Sequence, residues 1–408
     1  MSANVTHLIP FPITNARHGG QIRARETNLA LRRAGFSVST IEIFDAGAYP
    51  FSSPTINTSP ALASGKWPSA WQISDFVAGI ALSEDEQLFA MLMTSLPAKT
   101  DLLVFEEPWL GKAVLRLRRE GHLDAPIIFN SYNVEHIAKG KILADAEIAD
   151  SASYLQEIEE LEREIITEAA VVSAVTKEDA DCYLSMADCN VIIAPNGTVA
   201  KNRSHLNGIR FHGVDVSSPY ALFVGSGHPP NVSGFKEFVM QSLKWLKSHE
   251  RVVVAGSVCN ALLPDVEKSQ TPWIVRDKLC MVGSVSDFEL DCLIENSSML
   301  LLPIGYGGGS NLKTAEALIT DKPIVATDAA FRGYSKYIGA PGVKFANAAD
   351  DFGRAMRAIF DDPKTFKRDQ ATDLLLSHTL SPIVLAAMEA MVAMERVQRV
   401  AALNYGSP

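Results

Sequence analysis

Residues 299–327 read MLLLPIGYGGGSNLKTAEALITDKPIVAT, and this stretch decides the fold. A short apolar run, Met299–Leu302, predicts a buried strand. Four glycines and Ser310 then lead into a helical pattern over 311–319, with Ser310 as the expected N-cap. A second buried strand, Pro323–Ala326, follows the helix. A strand, a glycine-rich turn, a helix and another strand in this order predict a parallel βαβ unit.

The glycine-rich turn is a candidate anion site. Its backbone N–H groups favour negative charge, and glycine lets a phosphate approach the backbone closely. Lys313 adds a positive charge, and Glu316 lies on a largely apolar helix face, where a carboxylate can accept hydrogen bonds from a ribose diol. The glycine run alone leaves an alternative open, namely a flexible loop before an ordinary helix with a Lys313–Glu316 ion pair.

The alternation of apolar strands and helical patterns extends through nearly the whole chain. Strands of this kind, interleaved with helices, predict α/β domains with doubly wound parallel sheets. We expect a first domain over 1–200, a linker over 200–218 and a second domain over 218–380. The stretch 383–403 predicts a long amphipathic helix. The candidate strands are 5–11, 37–44, 101–105, 126–130, 171–174 and 191–194, then 220–224, 251–255, 279–282, 299–302 and 323–326.

The composition is that of a globular protein. The chain has 408 residues, of which 47% are hydrophobic and 21% charged, which argues against disorder. The net charge of −10 argues against a nucleic-acid binder. Most of the acid surplus lies in residues 145–181, and we interpret the helical pattern 157–168 within it as a solvated face.

Cysteine usage and targeting signals exclude further classes. Five cysteines without a CxxC pair predict neither a disulfide framework nor a zinc site, and a reducing compartment is expected. The N-terminus lacks the pattern of a signal peptide, and no stretch reaches the ~18 apolar residues of a membrane-spanning helix. The sequence carries no clear signal for oligomerisation.

Polar residues follow two candidate strands of the first half. One carboxylate of the pair Glu106 and Glu107 could bind hydroxyl groups of a ligand, and Trp109 could either stack on a sugar face or pack at the strand end. After the next strand come Asn133, Glu135 and His136, a polar cluster at the carboxyl end of that strand. The alternative is a helix N-terminus, with Asn133 as cap and Glu135 complementing the helix dipole.

A glycine pair follows the first strand. A plain βα turn explains one glycine at this position well, but it explains the two adjacent glycines Gly19 and Gly20 less well. Arg17, His18, Arg23 and Arg25 flank them and could form a cationic lip that holds an anionic ligand or faces a membrane surface.

The ordered set of motifs resembles glycosyltransferase family 4, the group 1 retaining enzymes of the GT-B fold. The segment GxGGGSNLKTAEAL, followed by DKPIVAT, resembles its C-terminal signature, and HGGQIRARETNLALRRAGFSVS at 18–39 resembles its first loop and helix. YNVEH (132–136), SAVTKED (173–179), PNG (195–197) and FVGSG (223–227) fall in the expected order. The resemblance implies two Rossmann-like domains facing across a cleft, with helix 383–403 packing back on the first.

The resemblance also implies roles for single residues. Glu316 matches the second glutamate of the family's E-x7-E motif, which binds the donor ribose, whereas Gly308 replaces the first glutamate. The family's arginine and lysine after the first strand of the second domain are absent, so Lys313, with His228, would supply the diphosphate charge. The implied catalytic set is His136, Lys313 and Glu316. The implied acceptor-binding residues are Arg17, His18, Glu106, Glu107, Trp109, Asn133 and Glu135. The other implied donor-binding residues are Gly19, Gly20, Gly225, Ser226, Val282, Ser284, Val285, Gly307, Gly308, Gly309, Ser310, Asn311 and Leu312.

The implied activity is transfer of a sugar, with retention, from a nucleoside diphosphate sugar to a saccharide or lipid-linked saccharide. Neither a cofactor nor a metal ion is required by such an enzyme, and the nucleotide sugar is a co-substrate. The implied setting is bacterial polysaccharide or glycoconjugate synthesis in the cytoplasm, with room for peripheral attachment to the inner face of the plasma membrane. A catalytically inert GT-B binding module and a sugar-nucleotide epimerase are the alternatives.

Overall fold

The computed structural model describes residues 3–14, 16, 18–66, 70–208, 214, 218–268 and 272–405. The chain forms two compact units. The first contains Met1–Pro195 and Leu376–Pro408, and the second contains Asn196–Leu375. Each unit is an α/β domain around one parallel sheet, as the sequence predicts.

The first unit holds a seven-stranded parallel sheet in the order β3-β2-β1-β4-β5-β6-β7. Its strands are apolar on both faces because helices cover both sides of the sheet. The strands are β1 (Asn4–Ile9), β2 (Ser37–Phe44), β3 (Ile56–Asn57), β4 (Leu102–Glu106), β5 (Ile127–Asn130), β6 (Val171–Ala174) and β7 (Val191–Ile193). The helices are α1 (Gly19–Arg33), α2 (Ser59–Leu62), α3 (Ser74–Glu84), α4 (Glu86–Ser95), α5 (Gly111–Arg119), α6 (Glu135–Asp145), α7 (Ser151–Glu168) and α8 (Lys177–Met186).

The second unit holds a six-stranded parallel sheet with the order β10-β9-β8-β11-β12-β13. Two apolar clusters cover its two faces. The strands are β8 (Tyr220–Val224), β9 (Arg251–Ala255), β10 (Leu279–Gly283), β11 (Met299–Leu302), β12 (Ile324–Ala326) and β13 (Val343–Phe345). The helices are α9 (Pro229–Gly234), α10 (Val258–Glu267), α11 (Pro272–Lys278), α12 (Asp287–Asn296), α13 (Leu312–Leu318) and α14 (Ala349–Asp361).

The chain then returns to the first unit as α15 (Leu376–Thr379) and α16 (Ser381–Tyr405). Ile383, Ala386 and Ala387 of α16 are buried against β1, β4 and α1 residues of that unit. The stretch Leu376–Ala393 is long and apolar enough to cross a membrane by length and composition, which the sequence analysis overlooked. A helix that packs on a domain core meets the same test.

The expected linker over 200–218 is wrong at its N-terminal end. Residues 200–208 dock on the second unit, because Arg203 Nε lies 2.8 Å from Asp291 Oδ1 and the backbone N–H of Gly208 donates to Asn296 Oδ1 at 2.7 Å. Leu206 is buried there. The division between the units falls before Asn196 instead.

Candidate functional site

Both sheets have a point at which the strand order reverses. In the first unit it lies between β1 and β4, and in the second between β8 and β11. Open α/β sheets bind ligands outside the carboxyl ends of the strands at such a point. The loops there hold residues 18–20 and 106–107 of the first unit, and residues 225–231 and 303–313 of the second. The sequence-predicted residues therefore cluster where this architecture binds ligands.

The glycine-rich loop of the second unit connects β11 to α13. Gly307 and Gly309 have φ values of 142° and 56°, which a side chain would disfavour. Gly308 is half-buried between them. The loop conformation thus depends on its glycines.

The helix after this loop starts one residue later than predicted. Asn311, not Ser310, is the N-cap, because Asn311 Oδ1 accepts a hydrogen bond from the backbone N–H of Lys313 at 3.3 Å. Ser310 Oγ and Asn311 Nδ2 are buried, and neither has a hydrogen-bond partner among the described residues. Buried polar atoms without partners are rare, so these two atoms mark the loop as a place where a polar contact is missing.

Lys313 connects the two loops of this site. Its Nζ donates to Asn231 Oδ1 at 3.1 Å, and Asn231 Nδ2 in turn donates to the carbonyl and hydroxyl of Ser226, both at 3.1 Å. Burial lowers the pKa of Lys313, while the charge of Glu316 opposes that shift. No carboxylate of the described residues lies within 4 Å of Lys313 Nζ, so an anionic ligand would relieve a real desolvation cost.

Glu316 presents an exposed side chain on the next turn of α13. The protein around the carboxyl nevertheless raises its pKa, and the charges of Lys313, Lys201 and Arg203 oppose this rise. Its carboxylate makes no hydrogen bond or ion pair with the described residues, so the alternative of a Lys313–Glu316 ion pair is not observed. Glu316 is therefore free to accept hydrogen bonds from a ligand.

The loop after β8 contributes Gly225, Ser226 and His228. A Cβ at Gly225 would lie 3.0 Å from Phe223 Cζ, so this glycine serves tight packing at the strand end. Ser226 and His228 are exposed. His228 is the N-cap of α9, and its carbonyl accepts from the backbone N–H of Asn231 at 3.0 Å.

The remaining predicted donor residues lie after β10 and at the start of α13. Val282, Val285 and Leu312 are half-buried, and Ser284 is exposed. Gly283, with φ of 72°, accepts a hydrogen bond from the backbone N–H of Gly256 at 2.7 Å. Backbone groups in this turn remain candidates for contact with a nucleobase.

Glu106 does not have the role expected for it. It is fully buried at the end of β4, and its Oε1 lies 2.7 Å from His7 Nε2 and accepts from Asn130 Nδ2 at 3.0 Å. The hydroxyl of Tyr132 donates to its Oε2 at 2.6 Å. Both oxygens are engaged within the protein, so Glu106 stabilises the switch-point loops and does not bind acceptor hydroxyls.

Trp109 packs in the core of the first unit. It is 5% exposed and meets Phe76 edge-to-face at 6.3 Å, with Lys139 Nζ 5.1 Å from its ring centre. A Cβ at Gly79 would lie 1.9 Å from its carbonyl oxygen, so α3 approaches it closely. Of the two roles left open for Trp109, the structure shows packing at the strand end, and stacking on a sugar is wrong.

Glu107 differs sharply from its neighbour. Its φ of 64° and ψ of 151° fall in a region that side chains rarely adopt, and such strain concentrates at functional sites. Its Oε2 is buried and has no hydrogen-bond partner among the described residues. Burial, together with the charges of Glu135 and Asp75, raises the pKa of Glu107 well above its usual value. A neutral Glu107 carboxyl can donate as well as accept a hydrogen bond.

Glu135 lies in the same acidic group. It is buried, and Asn133 Nδ2 donates to its Oε1 at 2.7 Å. Burial raises the pKa of Glu135 to about 7, although Lys139 opposes the shift. Lys139 Nζ lies 2.7 Å from Asp75 Oδ2 and so neutralises part of the group.

His136 is held by a carboxylate that the sequence analysis misread. Its Nδ1 lies 2.6 Å from Glu162 Oε2, and the backbone N–H groups of Glu135 and His136 donate to Glu162 at 2.7 and 3.2 Å. Glu162 is fully buried, so the assignment of the whole acidic helix face to solvent is wrong at this residue. The hydrogen bond from Glu162 raises the pKa of His136. Its other ring nitrogen makes no hydrogen bond with the described residues.

The first loop ends in a cap on α1. His18 Nδ1 accepts from the backbone N–H of Gln21 at 3.4 Å, and the surrounding protein lowers the pKa of His18 to about 4, although the ring has solvent access. His18 is therefore neutral at physiological pH and adds no charge to the expected cationic lip. Gly19 is exposed, and a Cβ at Gly20 would lie 3.2 Å from Phe11 Cζ. Of the other residues of that lip, Arg17 lies outside the described residues. Arg23 is buried and donates to the carbonyl of Ala194 at 2.8 Å, so it does not belong to a surface lip, and Arg25 pairs with Glu26 at 2.9 Å.

Several residues of these sites escaped the sequence analysis. Asp75 and Lys139 lie on helices without any motif. Glu162 sits beside the apolar stripe of α7, a position that could have suggested burial. Asn196 falls in the noted PNG stretch but was given no role, and Arg332 carries no sequence signal at all.

The comparisons with known proteins bear on the second unit first. A model of the family Glycosyl transferases group 1 matches residues 218–362, which include the glycine-rich loop, Lys313 and Glu316. Residues 218–362 form a glycosyltransferase group 1 domain. The predicted recognition of a glycosyltransferase enzyme is thereby confirmed. Curated protein sequences give no significant match to the chain.

Solved structures show the fold over nearly the whole chain. A sucrose-phosphate synthase from Thermosynechococcus elongatus has a TM-score of 0.65 and 15% identity, over 98% of this chain and 100% of that one. An α,α-trehalose-phosphate synthase (UDP-forming) from Burkholderia xenovorans has a TM-score of 0.62 and 11% identity, over 95% of this chain and 100% of that one. The lipopolysaccharide outer core galactosyltransferase WaaB has a TM-score of 0.59 and 11% identity, over 95% of this chain and 99% of that one. The predicted GT-B fold class is confirmed.

Proposed function

We propose that the protein transfers a sugar, with retention of configuration, from a nucleoside diphosphate sugar to a saccharide or lipid-linked saccharide. The second unit binds the donor, and the first unit supplies acceptor contacts. The observation that supports the donor site is the convergence of Lys313, the glycine-rich loop and two polar side-chain atoms without partners, Ser310 Oγ and Asn311 Nδ2, at the switch point of the second sheet. UDP is the first nucleotide to test, since the trehalose-phosphate synthase of similar fold is UDP-forming.

The donor contacts follow from the chemistry of the groups present. Departure of the diphosphate concentrates negative charge, and groups that are already oriented stabilise that charge at little reorganisation cost. Lys313 offers a desolvated ammonium without a carboxylate partner. Glu316 offers a carboxylate without a protein partner among the described residues, and the two hydroxyls of a ribose can donate hydrogen bonds to it. Backbone groups at 282–285 are the proposed contacts of the base.

The acceptor side rests on a smaller set than the sequence suggested. Glu107, with its strained backbone and unpaired oxygen, is the main proposed contact for an acceptor hydroxyl. Asn133 and Glu135 lie beside it, and His136 is held by Glu162 with one ring nitrogen available. Glu106 and Trp109 are no longer proposed, because both are buried in contacts within the protein.

The proposal includes no metal ion and no cofactor, and turnover in excess EDTA tests that part. We further propose a role in bacterial surface glycoconjugate synthesis at the inner face of the plasma membrane. The galactosyltransferase of lipopolysaccharide outer core has a similar fold, which supports this choice without assigning the same acceptor.

A donor screen tests the function. The purified protein is given UDP-, GDP- and ADP-sugars with saccharide acceptors, and nucleotide release and product are measured, with the anomeric configuration of the product read by NMR. We expect one nucleotide class to support acceptor-dependent release with retention. Binding of nucleotides without turnover on any acceptor would favour the inert module, and conversion of the sugar nucleotide without acceptor would favour an epimerase. An inverted product would refute the retaining mechanism.

A further inference from the structure

Three consecutive carbonyl groups of the glycine-rich loop are held by side chains. Arg332 Nη2 donates to the carbonyl of Gly308 at 2.5 Å, and its Nε donates to the carbonyl of Gly309 at 2.6 Å. Asn196 Nδ2 donates to the carbonyl of Ser310 at 3.1 Å. These hydrogen bonds pin one edge of the loop to the rest of the second unit.

The fixed carbonyls also fix the N–H groups that follow them. In a planar trans peptide, the C=O of one residue and the N–H of the next point in opposite directions. The N–H groups of Gly309, Ser310 and Asn311 are therefore turned away from the side chains that hold the loop. None of these N–H groups has a hydrogen-bond partner among the described residues. Successive N–H groups directed to one side form a concavity that binds anions.

We propose that Arg332, assisted by Asn196, is a positioning residue that orients these three N–H groups toward the diphosphate of the donor. The inference rests on the proposed function of the second unit. A second observation on the same loop supports it: Ser310 Oγ and Asn311 Nδ2 are buried and have no hydrogen-bond partner among the described residues. Arg332 acts through the loop that it holds.

The role of Arg332 depends on the shape of its side chain. The planar guanidinium reaches two adjacent carbonyls at once, and a lysine ammonium has no such fork. A Cβ at Gly307 would lie 3.2 Å from Arg332 Nη2, so the guanidinium also packs closely against the loop. Arg332→Lys therefore keeps the positive charge and removes the geometry.

Arg368 provides a matched control in the same unit. Its guanidinium donates to the carbonyls of Thr320, Lys322 and Pro341 at 2.6, 2.9 and 2.9 Å. Thr320 and Lys322 precede β12, at the end of the sheet opposite to the glycine-rich loop. Arg368→Lys removes the same kind of carbonyl contact without touching the proposed diphosphate site.

The experiment is calorimetry on the full chain with UDP, GDP and ADP and with the three monophosphates. For the nucleotide that binds the wild type most tightly, the measured quantity is the ratio of the monophosphate Kd to the diphosphate Kd. We expect Arg332→Lys and Arg332→Ala to lower this ratio by about 10- to 100-fold, Asn196→Ala to lower it less, and Arg368→Lys to leave it unchanged. At 1.4 kcal/mol for each tenfold step this loss equals about 1.4–2.8 kcal/mol, the size of one hydrogen bond to a charged group.

Two results would overturn the inference in different ways. An unchanged ratio in Arg332→Ala, or full retention of the ratio in Arg332→Lys, would reject the positioning role alone. A wild type that binds none of the diphosphates would reject the proposed function and the inference together. Hydrogen exchange without ligand gives a second measurement: Arg332→Lys should speed exchange in the peptide over 303–312, and unchanged exchange there would also reject the role.

Discussion

Replacement of Lys313 by Met separates binding of a diphosphate from stability of the fold. The ammonium is desolvated, and among the described residues it makes a single hydrogen bond, to the neutral Asn231 amide at 3.1 Å. A phosphate oxygen ~4 Å from the ammonium would gain about 4 kcal/mol at an effective dielectric constant of 20. The net worth of a hydrogen bond between charged groups is about 1.5–3 kcal/mol. At 1.4 kcal/mol for each tenfold step, kcat/KM with the donor should fall about 10- to 150-fold.

The same substitution should not weaken the fold. Burial lowers the pKa of Lys313 in the folded protein below that of the unfolded chain. A lysine with a lowered folded pKa costs stability wherever the unfolded chain is charged, which includes neutral pH, and that cost disappears only above the unfolded pKa. Lys313→Met should therefore leave Tm unchanged or raise it at pH 7.

The assay is steady-state release of nucleotide, together with a thermal unfolding scan at pH 7. Lys322→Met is the matched control, because burial also lowers the pKa of Lys322 but this residue lies at the other end of the same sheet. Turnover of Lys313→Met within twofold of the wild type would refute the diphosphate role. An equal loss in Lys322→Met would show that the effect is general to the unit.

Three further outcomes are expected. Glu316→Gln should raise the donor Kd about 10- to 100-fold, since hydrogen bonds to a charged acceptor are lost, and an unchanged Kd in calorimetry would remove its ribose role. Glu162→Gln should lower the pKa of His136 toward 6.5 in an NMR titration, because the hydrogen bond to Glu162 raises that pKa in the folded protein. The pair therefore stabilises the fold below pH 6.5 and does so less as the pH rises, so the substitution should lower Tm more at pH 5.5 than at pH 8. Glu135→Gln should raise Tm relative to wild type above pH 7 and not at pH 4. The pKa of the Glu135 carboxyl rises from 4.5 in the unfolded chain to about 7 in the folded protein, so this residue costs stability increasingly above pH 4.5 and fully above pH 7. An equal shift of Tm at both pH values would contradict the burial argument.

The sheets and the glycine-rich loop could be predicted from the sequence because local patterns determine them. Apolar strands covered on both faces are visible as continuous apolar runs. Ser286 and Thr176 are N-caps, each with an acidic residue three positions later. Near the loop, the prediction failed by one residue. Both Ser310 and Asn311 are good caps, and the choice between them depends on tertiary contacts that no local pattern contains.

Other parts of the candidate sites could not be predicted because they depend on long-range contacts. Glu106 and Glu107 are adjacent, yet the carboxylate of Glu106 is fully hydrogen-bonded and an oxygen of Glu107 has no partner among the described residues. The difference arises because only the fold brings His7 and Tyr132 to Glu106. Arg332 reaches the loop from more than twenty positions away along the chain. In each case the residue type is informative only after the topology is known.

The return of the chain to the first unit has a consequence for synthesis on the ribosome. Helix α16 buries Ile383 and Ala387 against residues near the start of the chain, yet it is translated after the whole second unit. Domains generally fold as units while the chain emerges. The second unit can therefore complete its fold first, whereas the first waits with part of its apolar surface uncovered. A nascent chain that stalls near residue 375 should be the form most in need of a chaperone.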